Sequence, residues 1–429
     1  MIVPKLVKLG YKSISGATDE VVPEIRTKRV LELYAKGCLN YMRLKLLLPE
    51  VKPGNFVVPK RCPTKGCKGK HFYPRQEVEK KVVDAQYKRV SAWRYECAEC
   101  GHTFRVYPQG VVKKQVSQRV LGLAIMLYVL GLSYGAAAIV LGALGIGIGK
   151  TSVYRAVQAA AEKVPGMKQK QLLTGYRTSA VGADVTSVRC GGKWLPLGIS
   201  VDAIHGLTLS IDGLPGEEAG ELKAWLEPIL DAVDADVLVT DDADAFKQVS
   251  DETGRAQQVC KRHVADNTDA LVDELSAILQ SGQDHSLAAI GVTTAQALAD
   301  LATLRTLIHT RHPEDQPQLE RLYDRYAQAR KPGKAKRFSL AYRMRNLFLD
   351  RWTLWPRLTF YRTWKDEYGH PLLDGTNNDC ERSIGWWVKE RYRSMRGYKR
   401  EQSALNVSRL IAFAGNHLSR GLDLAGLIA

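Results

Sequence analysis

Negative charge is scarce in this chain. Against 62 Lys and Arg there are 45 Asp and Glu, leaving a net charge of +17 and a sequence pI near 9.4. That balance turns attention away from acidic-surface functions and toward a polyanionic partner, nucleic acid first and an anionic membrane surface second. Recognisable repeats are absent, and so is a signal-peptide pattern at the N-terminus. Cysteines are few and unevenly placed: Cys38, Cys62, Cys67, Cys97, Cys100, Cys190, Cys260 and Cys380. Two close pairs and four scattered thiols make metal spacing more than a disulfide framework, which suits a reducing cytoplasm. Charge is missing altogether from Val120 to Gly149, thirty residues long enough for a membrane span. Its many glycines, the break at Gly131-Leu-Ser-Tyr-Gly135 and the run into Lys150-Thr-Ser-Val-Tyr-Arg155 favour two short buried helices, with no membrane partner.

What the chain does have is 429 residues, enough for several domains, and 45% apolar residues, enough for real cores. The patterns divide it into an N-terminal helical segment (1–55), a cysteine-bearing domain (56–112), a small helical domain (113–170), an α/β region (171–263), an all-helical stretch (264–375) and a C-terminal helical segment (376–429). Strands are expected at Ala180–Arg189, Lys193–Ala203, Leu207–Leu214, Asp236–Thr240 and Gln257–Lys261. Gly191-Gly192 and His205-Gly206 supply turns, and Leu222–Val233 has helical apolar spacing. Helices are expected at Glu381–Met395 and Gln402–His417.

Cys62-Pro-Thr-Lys-Gly-Cys67 is followed after 29 residues by Cys97-Ala-Glu-Cys100. Four thiolates on two tight turns satisfy a closed, structural Zn2+ site. Lys65, Lys68, Lys70, Arg94 and Arg105 around it suit phosphate contact. This region resembles the zinc ribbons that precede many prokaryotic transposase catalytic domains. Ser133–Leu141, a glycine-bearing turn at 145–149 and Lys150–Ala161 outline a helix-turn-helix, whose second helix would present Lys150, Thr151, Ser152 and Arg155 to DNA. Gly147-Ile-Gly-Lys-Thr151 is not a phosphate loop, because Leu144 stands where that motif needs glycine.

Three acids stand in informative settings: Asp184 in Ser179-Ala-Val-Gly-Ala-Asp-Val-Thr, Asp241 in Asp236-Val-Leu-Val-Thr-Asp-Asp-Ala, and Glu381 in Asn377-Asn-Asp-Cys-Glu-Arg-Ser. A carboxylate on a hydrophobic strand needs a partner, a proton or a cation. Three that converge would make a site for two divalent metals. Asp242, adjacent to Asp241, competes for the second place. Asp202 is a structural acid at the end of the second strand, Asp244 a first-turn helix charge and Asp379 a helix cap.

Gly182-Ala-Asp184, Val239-Thr-Asp-Asp-Ala-Asp-Ala-Phe246, Gln257-Gln-Val-Cys260-Lys-Arg-His263 and Asn377-Asn-Asp-Cys-Glu381-Arg together resemble the catalytic domain of DDE transposases of prokaryotic insertion sequences, most of all the Mutator-like group. The resemblance spans Arg177–Arg400. It implies a multidomain α+β/α/β protein, a zinc ribbon and helix-turn-helix followed by an RNase H-like mixed sheet with an all-helical insertion. It implies Asp184, Asp241 and Glu381 as catalytic residues holding two Mg2+ or Mn2+ ions, and Cys260 and His263 as a C-x2-H pair, read here as structural groups that orient the site. Arg382, Lys389 and Arg393, on the basic segment after Glu381, would meet phosphates. Trp386 and Trp387 would pack or stack on a base. The Arg351–Arg357 and Arg362–Lys365 segments would meet DNA ends or a second subunit. The implied partners are double-stranded DNA, as terminal inverted repeats and target, and further copies of the chain, at least a dimer. The implied location is the cytoplasm, at the nucleoid. A structure-selective nuclease on the same fold and a domesticated DNA-binding regulator are the alternatives.

Overall fold

The computed structural model describes residues 48–173, 175–282, 285–331, 338–389 and 398–419. Most of the N-terminal segment expected to be helical, 1–47, lies outside them. The chain divides into two compact units, Met1–Ala160 with Phe413–Ala429, and Ala161–Ala412.

In the first unit the described chain opens with strand β1 (Lys52–Phe56), so residues 52–55 are strand and not part of a helical segment. β1 pairs antiparallel with the short β5 (Pro108–Gln109). Between them β2 (Phe72–Lys81), β3 (Arg89–Cys97) and β4 (Thr103–Val106) form an antiparallel meander. The core here is small, built on Val51, Val82, Val90 and Val111. The charge-free run then forms α1 (Gln118–Val129) and α2 (Tyr134–Ala143), each started by a serine: Ser117 Oγ accepts from the Val120 N–H, and Ser133 Oγ from that of Ala136. Twelve and ten residues are each too few to span a bilayer. No helix among the described residues is long and apolar enough to cross a membrane. After a connection at 144–149, α3 (Lys150–Leu173) begins. Tyr134 ties the three helices together, stacking on Tyr128 at 4.5 Å and meeting Tyr154 edge-on at 5.3 Å.

The second unit is built on one mixed five-stranded sheet. β6 (Ala180–Cys190), β7 (Lys193–Asp202) and β8 (Thr208–Gly213) make an antiparallel meander, β9 (Val237–Thr240) lies parallel on the other side of β6, and β10 (Ala256–Val259) lies parallel to β9. The parallel pairings need crossovers, supplied by α4 (Ala219–Val233) and α5 (Asp244–Thr253). Leu222, Leu226, Leu230 and Val233, at helical spacing on α4, cover Val181, Ala183 and Leu238 of the sheet. The last strand stops at Val259, not Lys261, because Cys260 takes the N-cap position of the next helix.

That helix, α6 (Lys261–Ser281), opens a helical stretch with α7 (Thr294–Thr310), α8 (Gln316–Tyr326) and α9 (Leu340–Thr363). The stretch owns a core that includes Leu275, Leu304, Leu319, Phe348 and Trp355. Several basic and aromatic residues of α9 expected to meet DNA ends or a second subunit have partners within the chain. Arg351 is buried, its Nε donating to Thr268 Oγ1 at 2.8 Å. Trp355 is wholly buried, and Arg357 makes two bonds to Asp251 and one to Gln257. Helix α9 is joined to the sheet through Gln258, which accepts from the Tyr361 N–H at 2.7 Å and donates to Leu358 O at 3.1 Å.

The chain then reaches α10 (Asn378–Ser383), which widens into a π-helical turn, Ile384–Lys389. The expected helix thus begins earlier than Glu381, and residues 390–397, including Arg393, lie outside the described residues. Asn377, not Asp379, occupies the N-cap position, and Asp379 lies within the first turn. α11 (Glu401–Ser419) follows, and Arg409 donates to Ile211 O on β8 at 2.7 Å.

Candidate active site and cysteine centre

The four paired cysteines converge. Cys62 and Cys100 Sγ atoms are 3.7 Å apart, those of Cys67 and Cys97 3.8 Å, and all four lie within 4.8 Å of one another. A tetrahedron with metal–sulfur bonds of about 2.3 Å has edges near 3.8 Å, so the spacing matches zinc. Backbone turns hold the geometry. Cys67 N–H donates to Thr64 O, Cys62 N–H to Gly69 O, and Gly101 N–H to Cys97 O, while Gly69 N–H points at Cys67 Sγ from 3.4 Å. A Cβ on Gly69 would sit 2.5 Å from Cys97 Sγ, so the cradle has no room for a side chain there. These cysteines can hold a structural zinc ion.

The acidic cluster follows from strand register. Gly182 on β6 is the partner of Val239 on β9. Asp184 lies two residues farther along β6 and Asp241 follows directly on the end of β9, so both leave neighbouring parallel strands at the same edge of the sheet. The thermodynamic signature is plain. Burial, then the charge of Asp241, push the Asp184 carboxyl up to about 6, and Glu381 adds to the shift. A bond of 2.7 Å from the Val185 N–H and the proximity of His263 oppose it without cancelling it.

Glu381 is brought to this edge by α10, which is locked to the sheet. Asn377 Nδ2 donates to Ala183 O at 2.9 Å, and Cys380 Sγ to Ile199 O at 3.3 Å. Burial raises the Cys380 thiol well above its usual range, so it stays protonated and donates. Gly182 makes the approach feasible: a Cβ there would lie 3.0 Å from Asn377 Oδ1 and 2.9 Å from Val201 Cγ2. The Asn377 N–H also points at Cys260 Sγ from 3.4 Å. Arg262 Nη2 and His263 Nε2 each stand 3.5 Å from a Glu381 oxygen. Cys260, His263 and Glu381 place one ligand atom each within 4.8 Å of the others. The C-x2-H pair therefore meets the third acid directly. Arg262, absent from the expected set, was hidden because nothing local marks which cation will face a residue 119 positions later.

The neighbouring acids take other partners. Asp242 is paired with Lys247 at 2.9 Å and Arg351 at 3.4 Å, whereas it is the charge of Asp241 that bears on Asp184. Asp244 opens α5 as a first-turn acid. Asp202 is fully buried and accepts from Thr178 Oγ1 and the Ile204 N–H at 2.8 Å, the His205 N–H at 3.0 Å and the Tyr176 hydroxyl, with His205 Nδ1 at 2.6 Å. Burial opposes its charge, but the bonds from His205 and Tyr176 outweigh that and hold the carboxyl below its usual range. A depressed folded pKa stabilises above the unfolded value and loses that stabilisation as pH falls through the folded one. Asp202→Ala should cost about 3 kcal/mol at pH 7. Chemical denaturation should show the gap from wild type narrowing below about pH 4.

Of the residues expected at DNA, Lys150, Thr151 and Arg155 are exposed at the start of α3 and Ser152 is half-buried. Lys150 follows a helix and a loop, with no strand before it, as the rejection of a phosphate loop requires. Arg382 is exposed and 3.3 Å from Asp379, and Lys389 is exposed. The side chains of Trp386 and Trp387 lie outside the described residues, as does Arg393. Arg94 and Arg105 are direct cross-strand neighbours on β3 and β4, like charges whose repulsion an anion would relieve.

No family model matches this sequence, and no curated protein matches it.

Proposed function

We propose that this chain is a DDE-type DNA transposase with an RNase H-like catalytic domain, a zinc ribbon and a helix-turn-helix. The supporting observation is the setting of Asp184, whose anion is disfavoured first by burial and then by the charges of Asp241 and Glu381. Glu381 Oε1 is buried without a hydrogen-bond partner among the described residues. A buried acid whose charge is disfavoured by neighbouring acids fits hard divalent cations. Bound by Asp184, Asp241 and Glu381, two Mg2+ or Mn2+ ions would activate water or a 3′ hydroxyl and stabilise the leaving oxygen of a phosphodiester.

The chain's own groups do the positioning. Asn377 and Cys380 fix the helix that carries Glu381, and Asp242 is kept out of the cluster by Lys247 and Arg351. The meander flanked by two parallel strands and interrupted by a helical stretch before Glu381 accords with the RNase H-like reading. The net charge of +17, with Lys150, Thr151, Ser152 and Arg155 at the start of α3 and Arg382, Lys389 and Arg393 beyond Glu381, favours double-stranded DNA as partner. Paired DNA ends call for at least two copies of the chain. The test is Mg2+-dependent nicking and joining of DNA carrying the ends that flank the gene, with wild type and Glu381→Gln side by side. Specific binding without cleavage by either protein would favour a DNA-binding regulator, and cleavage without joining a nuclease.

A further inference from the structure

We propose that Cys260, His263 and Glu381 form a second kind of metal site beside the acidic cluster, one selective for a soft divalent ion such as zinc. A thiolate and an imidazole are poor ligands for Mg2+ and good ones for zinc. Cys260 sits at the N-cap position of α6 and His263 in its first turn, so α6 delivers both to one end, and α10 delivers Glu381 to meet them. The three donor atoms already lie within 4.8 Å of one another. The Asn377 N–H is aimed at the Cys260 sulfur from 3.4 Å and fixes where the thiol stands.

A second observation points to a missing ligand. His263 Nδ1 and Glu381 Oε1 are both buried and have no hydrogen-bond partner among the described residues. Glu381 Oε1 lies 3.5 Å from His263 Nε2 with no hydrogen bond between them, and an ion held by both would satisfy the carboxylate. Three protein ligands leave one tetrahedral position for water. Because Glu381 belongs to both sites, a soft ion that holds it withdraws it from Asp184 and Asp241. The site thus provides a zinc-dependent brake on whatever chemistry the carboxylates perform. The inference rests on the placement of Glu381 by α10 and not on the transposase reading.

The experiment is a Co2+ titration of the reduced, metal-free full chain, read by thiolate-to-cobalt charge-transfer absorption without DNA. Wild type should take up two equivalents, one at Cys62, Cys67, Cys97 and Cys100 and one here. Cys260→Ser and His263→Asn should keep the first and weaken the second about 10–100-fold, with unchanged circular dichroism. His263 is only half-buried, so its variant keeps the test decisive should Cys260→Ser fold poorly. A wild type that binds one equivalent, or a folded variant that still binds two like wild type, overturns the proposal. A chain that binds the second equivalent, yet cuts no DNA in Mg2+ once that soft ion has been removed, keeps this inference and loses the transposase reading. Cleavage with only one equivalent does the reverse.

Discussion

Glu381→Gln should abolish Mg2+-dependent nicking, by about 10^3-fold or more, since a metal-ligating carboxylate supplies several kcal/mol of transition-state stabilisation. The amide keeps the volume of the side chain, and the bonds that dock α10 come from Asn377 and Cys380, so the fold should persist. Asp184→Asn makes the sharper case, because its two effects have opposite signs. Activity should be lost to the same extent, while the metal-free protein becomes more stable at neutral pH.

The Asp184 carboxyl titrates at about 6 when folded, against 3.8 as its ordinary value. Between those values the folded chain holds a proton that the unfolded chain has released. Raising pH through the window therefore destabilises the metal-free fold, by an amount on the order of 2 kcal/mol. Metal-free wild type should be more stable at pH 5 than at pH 7.5 with respect to this group, and Mg2+ should remove the penalty. Asp184→Asn should erase both the pH step and the Mg2+ response in denaturant titrations. If this variant retains cleavage, or if Mg2+ stabilises it as it does wild type, the carboxylate cluster is not the metal site.

Chelating zinc, or replacing Cys97 with serine, should unfold the β2–β4 meander and leave the five-stranded sheet intact. Structural zinc sites contribute roughly 10 kcal/mol or more of folding free energy at neutral pH. The local apolar core is built on four valines, each worth about 1.5–3 kcal/mol when fully buried, which must also offset the chain entropy of ordering some fifty residues. Without the metal the balance should fail. Hydrogen exchange should show amides of Ala92 to Cys97 losing protection on chelation while those of Val181 to Val188 keep theirs. Metal analysis should find no ion at this centre in the Cys97→Ser protein. Retained protection after complete zinc removal would mean that the meander stands on its valines alone.

Much of this was readable along the chain. Short apolar runs bounded by Gly191-Gly192 and His205-Gly206 located the strands to within a few residues, because the buried stretches of β6, β7 and β9 are mostly apolar. The errors fell where a tertiary partner overrules local pattern. Lys261 looked like the end of a strand and is the start of α6, since the chain must turn there to enter the helical stretch. Arg351, Trp355 and Arg357 looked like a DNA-facing cluster. Arg351 and Trp355 are internal because α9 lies against α6, α8 and β10, and the partly exposed Arg357 is held by Asp251 and Gln257.

The sequence by itself determined the four zinc-spaced cysteines, the order of strands and helices, and the three acids in their settings, since these depend on spacing over a few residues. Only the tertiary structure decided that Asp241 rather than Asp242 bears on Asp184, and that Glu381 meets Cys260 and His263. The first depends on partners from elsewhere in the chain: Lys247 and Arg351 pair with Asp242, and Asp241 is left as the acid that bears on Asp184. The second depends on the helical stretch between His263 and Glu381, whose packed core closes a long loop and returns α10 to the edge of β6, a relation that no local pattern encodes.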